Sequence, residues 1–304
     1  MAGRIRALGV AVAAMCVAAL SGLGAPVAAA DAGEAAPPRG NSSNETVYLV
    51  KGFRPYPLPT GVDCDDRWRP FIRATGNWGW KENQFVKVGF YSGDDNCTIN
   101  LAEEDGDRDL SLRELGRRLA WNIYLNHSRY GRSVDLVGHS MGGLIVRAAV
   151  LGVTHHNAGE DWPPFVYVED AVTLGTPHYG VKGSCDRFGM TVQCREMTRG
   201  SDFLNWLHSA RVPQSAQGTD WTFIGSNFDT TVVRDSAVPK TDGAQHRVVY
   251  ARSERIDHSA LRVLADDDAK VLYFSNYGSR WIKTERGASP VRAASNALYW
   301  ASKW

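Results

Sequence analysis

Residues 134–145, VDLVGHSMGGLI, join one apolar run to another through a serine that is flanked by glycines. The first run has the length and composition of a buried strand, and the second, Leu144–Leu151, those of a buried helix that ends at Gly152. A Gly-x-Ser-x-Gly motif between a strand and a helix is typical of a sharp turn that lifts the serine hydroxyl above the edge of a sheet. The position of the motif therefore makes Ser140 a candidate nucleophile.

Further short apolar runs on both sides of this motif indicate strands, namely Val47–Val50, Phe85–Tyr91, Val134–Val137, Val166–Leu174, Trp221–Gly225 and Val248–Ala251. Helical patterns lie between several of them. One begins at a capping box, Ser111 to Glu114, and is closed by Gly131. Strands that alternate with helices predict an α/β fold, with a mainly parallel sheet flanked by helices on both faces. We expect one such domain over residues 46–304.

The amino-terminal residues have the pattern of a signal peptide. Arg4 and Arg6 precede an apolar run, Ala7–Leu20, which is too short to span a bilayer, and Ala28–Ala30 follow as small residues. We therefore predict that residues 1–30 direct secretion and are removed, with an uncleaved anchor as the alternative. Residues 31–45 are predicted to be a flexible leader, and the extracellular protein is expected to make no stable membrane insertion.

Composition excludes two classes of protein. The chain has 304 residues, with 34 Lys and Arg against 33 Asp and Glu, so it lacks the basic excess on which nucleic-acid binding depends. With 10 Trp, 11 Tyr and 10 Phe, the bulk of the chain has enough apolar surface to fold. We expect a monomer that acts on a small-molecule or lipid substrate without a cofactor or a metal.

Four cysteines remain once Cys16 is removed with the signal peptide, and an even number in a secreted chain indicates disulfides. Three pairings are possible. We favour Cys64–Cys97 and Cys185–Cys194, because these pairs are nearest in sequence. A zinc site is the alternative, but the chain has no Cys-x-x-Cys motif.

A serine nucleophile needs a base and an acid that orients the base, and after this type of turn they follow in the order Ser, acid, His. His258 is the histidine that follows the last predicted strand, seven residues after Ala251. Asp229 comes directly after the strand Trp221–Gly225, and Asp235, six residues further on, is the alternative acid. Asp257 is interpreted as a loop or cap residue.

The chain resembles secreted serine esterases and lipases of the α/β-hydrolase fold. The resemblance rests on the segments Gly138–Gly143 (GHSMGG), Leu174–Gly180 (LGTPHYG), Gly200–Leu207 (GSDFLNWL) and the spacing from Asp229 to His258. It implies hydrolysis of carboxylic esters through a Ser140–His258–Asp229 triad and an acyl-enzyme. It also implies that the backbone N–H groups of Phe53 and Met141 form the oxyanion hole.

The resemblance has one departure and one limit. These lipases usually carry His-Gly where this chain has Lys51-Gly52, and the tail after Asp266 lies outside the resemblance. Two other functions are compatible with the fold: acyl transfer with the same triad, and non-catalytic binding, which would need a broken triad.

The segment Tyr179–Pro213 is expected to lie above the nucleophile and to shape the acyl site. Leu204 and Leu207 are expected in the core because of their helical spacing. Phe188 and Met190 are predicted to form a wall of the substrate cleft, since the short Cys185–Cys194 loop cannot bury both.

Overall fold

The computed structural model describes residues 36–40, 43–156, 159–181, 190–266, 268–275 and 280–299, and in these residues nine strands form one sheet. The strand order is β3-β2-β1-β4-β5-β6-β7-β8-β9. The strands are β1 (Thr46–Val50), β2 (Phe85–Gly89), β3 (Ile99–Asn100), β4 (Val134–His139), β5 (Val168–Leu174), β6 (Asp220–Ser226), β7 (His246–Tyr250), β8 (Ala269–Ser275) and β9 (Trp281–Gly287). All neighbours from β3 to β7 are parallel, whereas β8 and β9 are antiparallel.

Helices connect the strands. The longer ones are α1 (Cys64–Gly76), α2 (Leu112–Asn126), α3 (Met141–Thr154) and, near the end of the described chain, α7 (Pro290–Ala297). Short helices α4 (Val192–Glu196), α5 (Asp202–Leu207) and α6 (Arg234–Ala237) lie in the loops after β5 and β6. The predicted cap at Ser111 is present, because its hydroxyl accepts the Glu114 N–H at 3.1 Å. None of the described helices is long and apolar enough to cross a membrane.

Two apolar cores cover the two faces of the sheet. On one face, α2 and α3 pack through Leu115, Leu119 and Leu144. On the other, α1 contributes Trp68 and Phe71, and α7 contributes Val291 and Ala294. Helices on both faces of a mainly parallel sheet confirm the predicted fold class.

Segments outside the predicted strands also contribute to the domain. A disulfide joins Cys64 at the start of α1 to Cys97, which is the pairing expected above. The second half of the predicted leader contacts the sheet, since Arg39 forms an ion pair with Asp170 at 3.2 Å. The predicted signal peptide and Cys185 lie outside the described residues, so the signal peptide and the Cys185–Cys194 bond stay predictions.

Candidate active site

Ser140 lies in the sharp turn between β4 and α3. Its backbone has φ 56° and ψ −129°, a left-handed conformation that a residue with a side chain adopts only when the surrounding structure holds it. The Ser140 N–H donates to Leu174 O at 2.8 Å, which ties the turn to the end of β5. The residue is half-buried.

The two glycines that flank the serine are required by close backbone contacts. A Cβ on Gly138 would lie 2.4 Å from Gly143 Cα, and one on Gly142 would lie 2.2 Å from Val50 O. Neither position has room for a side chain. The small residues at these positions therefore allow the turn to pack against β1 and against the first turn of α3.

Asp229 and His258 meet at the same edge of the sheet. His258 Nδ1 lies 2.7 Å from Asp229 Oδ2. The Asp229 side chain is fully buried, and its Oδ1 accepts the N–H groups of Thr231 at 2.8 Å and Val232 at 3.0 Å. These bonds fix the carboxylate, which in turn orients the imidazole through its Nδ1. The described structure shows no hydrogen bond between Ser140 Oγ and His258.

His139 connects the serine turn to His258. Its Nε2 lies 2.9 Å from His258 O, and the centroids of the two rings are 4.8 Å apart. Burial lowers the pKa of His139 well below its usual value, and the neighbouring Arg262 and Arg67 guanidinium groups lower it further. A neutral His139 can lie beside the His258 ring without repelling it. The sequence did not predict this contact, because position 139 alternates away from the serine along the strand.

The contacts described for the other candidates do not involve the His258 side chain. Asp235 is exposed and pairs with Arg234 at 2.5 Å on α6. Asp257 Oδ1 accepts the Ala260 N–H at 2.8 Å, so Asp257 is a loop residue that stabilises the chain before the short helix at 260–262. His178 of the Gly-Thr-Pro-His segment is buried, with its Nε2 3.0 Å from Thr173 Oγ1.

The segment Lys51–Phe53 passes directly beside the serine. A Cβ on Gly52 would lie 2.8 Å from Ser140 Cβ and 3.3 Å from Ser140 Oγ, so this segment approaches the nucleophile closely. Phe53 follows as a half-buried residue, and Met141 is the first residue of α3. Burial lowers the pKa of Lys51 to about 7, although the Asp94 carboxylate opposes the effect.

The predicted substrate wall is described only in part. Phe188 lies outside the described residues. Met190 is 61% exposed, whereas Leu204 and Leu207 are buried in the core, as expected from their spacing. No group of three or more potential metal ligands occurs in the described parts of the chain.

Comparisons with known proteins agree with this architecture. A family model described as a PGAP1-like alpha/beta domain matches residues 118–220, which include the serine turn. The crystal structure of Aspergillus fumigatus lipase B is similar with a TM-score of 0.50 and 12% sequence identity, over 75% of this chain and 52% of that one. The chain therefore spans about half the length of that lipase. The fold is the α/β-hydrolase fold.

Two further solved structures are similar with lower TM-scores. Mature Bacillus licheniformis lipase BlEst2 has a TM-score of 0.45 and 14% identity, over 75% of this chain and 90% of that one. An extracellular alpha/beta-hydrolase from a Paenibacillus species has a TM-score of 0.41 and 11% identity, over 71% of this chain and 91% of that one. No curated protein matches the sequence.

Proposed function

We propose that this chain is a serine hydrolase that cleaves carboxylic esters through Ser140, His258 and Asp229. The observation that carries the proposal is the pair of buried Asp229 and partly exposed His258, 2.7 Å apart, at the sheet edge where the left-handed Ser140 turn lies. A fixed carboxylate keeps the imidazole in the tautomer that can accept the serine proton. The lipase-like sequence segments and the α/β-hydrolase fold support the same function.

In the proposed reaction, Ser140 Oγ attacks the ester carbonyl while His258 Nε2 accepts its proton. The backbone N–H groups of Phe53 and Met141 stabilise the oxyanion, and the amino-terminal dipole of α3 favours the same negative charge. His258 then returns the proton to the alcohol, which leaves an acyl group on Ser140. Water, activated by His258, releases the acid and restores the free hydroxyl.

The proposed substrates are esters with short to medium acyl chains. The segment after β5 is modest in length, and its described part places Met190 at the surface, where it can contact an acyl chain. Secretion is proposed for the same protein. The Cys64–Cys97 disulfide supports it, because such bonds persist in oxidising compartments.

Labelling with a fluorophosphonate tests the assignment of the nucleophile. The full chain should form a covalent adduct on Ser140 and hydrolyse p-nitrophenyl esters, and Ser140→Ala should do neither. A wild-type protein that binds esters but forms no adduct and turns none over would favour the non-catalytic binding function. An adduct on a different serine would show that the nucleophile is misassigned.

A further inference from the structure

Lys51 is the position at which this chain departs from the His-Gly of the lipases that it resembles. It directly follows β1, and its side chain is fully buried. A buried ammonium group is costly unless it is paired, so the surroundings of this side chain must stabilise it.

The Lys51 ammonium lies between a carboxylate and two aromatic rings. Its Nζ is 3.0 Å from Asp94 Oδ2, and the Asp94 side chain is also fully buried. The same Nζ is 3.6 Å from the centroid of the Phe90 ring and 4.0 Å from that of Tyr91. Both distances are within the range of a cation–π interaction.

Asp94 is itself held in place by the backbone. Its Oδ1 accepts the Val62 N–H at 3.0 Å, and its Oδ2 accepts the N–H groups of Phe90 at 2.8 Å and Tyr91 at 2.9 Å. The loop that carries it is tied to the start of α1 by the Cys64–Cys97 disulfide. The Lys51 side chain therefore ends in a rigid part of the protein.

The backbone of Lys51 packs against the serine turn. A Cβ on Gly142 would lie 2.4 Å from Lys51 O, and the next residue, Gly52, approaches Ser140. The ammonium group of Lys51 is thus held by Asp94. The main chain of Lys51 leads directly into Gly52 and Phe53, whose N–H is the proposed oxyanion donor.

We propose that Lys51 is a positioning residue for the oxyanion donor Phe53, and that its ion pair with Asp94 holds the Gly52–Phe53 backbone against the Ser140 turn. This proposal rests on the ester hydrolase function proposed above. An oxyanion donor acts on the transition state, so its displacement lowers kcat while substrate binding is kept.

The test compares Lys51→Met with the wild-type protein on a soluble p-nitrophenyl ester, with active sites counted by fluorophosphonate labelling. We expect kcat per active site to fall by about 10–100-fold, since small displacements near the reacting atoms cost rates of this order, and KM to change by less than about threefold. Lys87→Met is the matched control. It removes a lysine of the neighbouring strand β2 that pairs with Asp65 of α1, and it should leave kcat unchanged.

The double variant Lys51→Met/Asp94→Asn separates positioning from general stability. It removes both charges, so its melting temperature should rise above that of Lys51→Met, in which Asp94 stays buried without its cation. The double variant should still melt below the wild-type protein, because asparagine has one acceptor oxygen where both Asp94 oxygens accept backbone N–H groups. Its kcat should stay at least tenfold low, because the ion pair is still absent. A double variant that regains wild-type kcat together with its stability would overturn the proposal, as would a Lys51→Met protein with unchanged kcat. A wild-type protein without esterase activity would instead overturn the proposed function.

Discussion

The adjacent strands β6 and β7 carry an aspartate–histidine pair at each end. At the carboxyl ends, Asp229 and His258 lie 2.7 Å apart, and at the amino ends Asp220 and His246 lie 3.0 Å apart. The two pairs have the same order along the chain. Only the first pair lies at the edge that carries the left-handed serine turn.

Their surroundings differ in exposure and in charge. The His258 side chain is 16% exposed, whereas that of His246 is 2% exposed. Around the amino-terminal pair lie further buried carboxylates, those of Asp135, Glu169 and Asp170. An aspartate–histidine pair is therefore no evidence of catalysis by itself, because a base must also be accessible and lie beside a nucleophile.

The largest expected effect comes from removing each histidine in turn. His258→Ala should lower kcat for ester hydrolysis by about 10⁴–10⁶-fold, because triad members act as a unit. His246→Ala should leave kcat per active site within about twofold, although its melting temperature should fall. Steady-state kinetics with labelled active sites check both values. Equal loss of kcat in the two variants would show that the amino-terminal pair also serves catalysis.

The two aspartates give the next largest difference. Asp229→Asn should lower kcat by about 10²–10⁴-fold, since an amide cannot hold the imidazole in its working tautomer. Asp220→Asn and Asp235→Asn should change kcat by less than about twofold. If Asp235→Asn proves to be the damaging substitution, the acid of the triad has been assigned to the wrong residue.

The edge of the sheet at the carboxyl ends of the strands, the carboxyl edge, was largely predictable from the sequence because its signals are local. The Gly138–Gly142 motif specifies a turn, and parallel strands bring the loops that follow them to one edge, so Asp229 and His258 could be selected by position. The sequence could not show that His139 contacts His258, because that contact depends on how two loops pack.

The contacts at the amino ends of the strands, the amino edge of the sheet, were not predictable because they join distant parts of the chain. Arg39, in a leader that was expected to be flexible, pairs with Asp170, 131 residues away. Strand β9 also escaped prediction. Its half-buried and exposed residues, WIKTERG, lack the apolar run that marks the central strands. Lys51 and Asp94 are likewise paired only by the fold.

Stability should respond to pH through the carboxylates of the amino edge. Burial raises the pKa of Asp135 well above its usual value, and the charges of Asp170, Glu169 and Glu45 raise it further. The unfolded chain therefore loses this proton at lower pH than the folded protein does. Folding becomes less favourable as pH rises from about 4 through the raised pKa of Asp135.

Asp135→Asn removes this penalty and keeps an oxygen to accept the Asp170 N–H, which lies 3.1 Å from Oδ1 in the wild-type protein. The variant should be more stable than wild type by about 1–2 kcal/mol at pH 8 and nearly equal to it at pH 4. Urea unfolding at both pH values checks this, with exposed Glu104→Gln as the control. Arg39→Gln should have the opposite sign at pH 8, because it removes a positive charge from the cluster. A stability gain for Asp135→Asn that is the same at both pH values would exclude ionisation as its cause.

The smallest expected effect concerns substrate preference at the carboxyl edge, where the segment between β5 and β6 is predicted to form one wall of the cleft. Replacing Phe188 and Met190 together by serine should lower kcat/KM for octanoate esters about 3–10-fold more than for acetate esters, because only the longer chain loses apolar contact. The melting temperature should change little, since Met190 is 61% exposed and buries little apolar surface.

Leu125→Ser is the matched control for this last prediction, because Leu125 is an exposed leucine on α2, 41% accessible, and its truncation should affect both esters equally. A ratio of octanoate to acetate activity that falls only in the Phe188/Met190 variant would place an acyl-binding wall in this segment. Equal losses on both esters, or a large drop in melting temperature, would contradict an acyl-binding wall in this segment. In that case acyl-chain preference would have to arise elsewhere on the carboxyl edge, and the loop that follows Phe53 would be the next segment to vary.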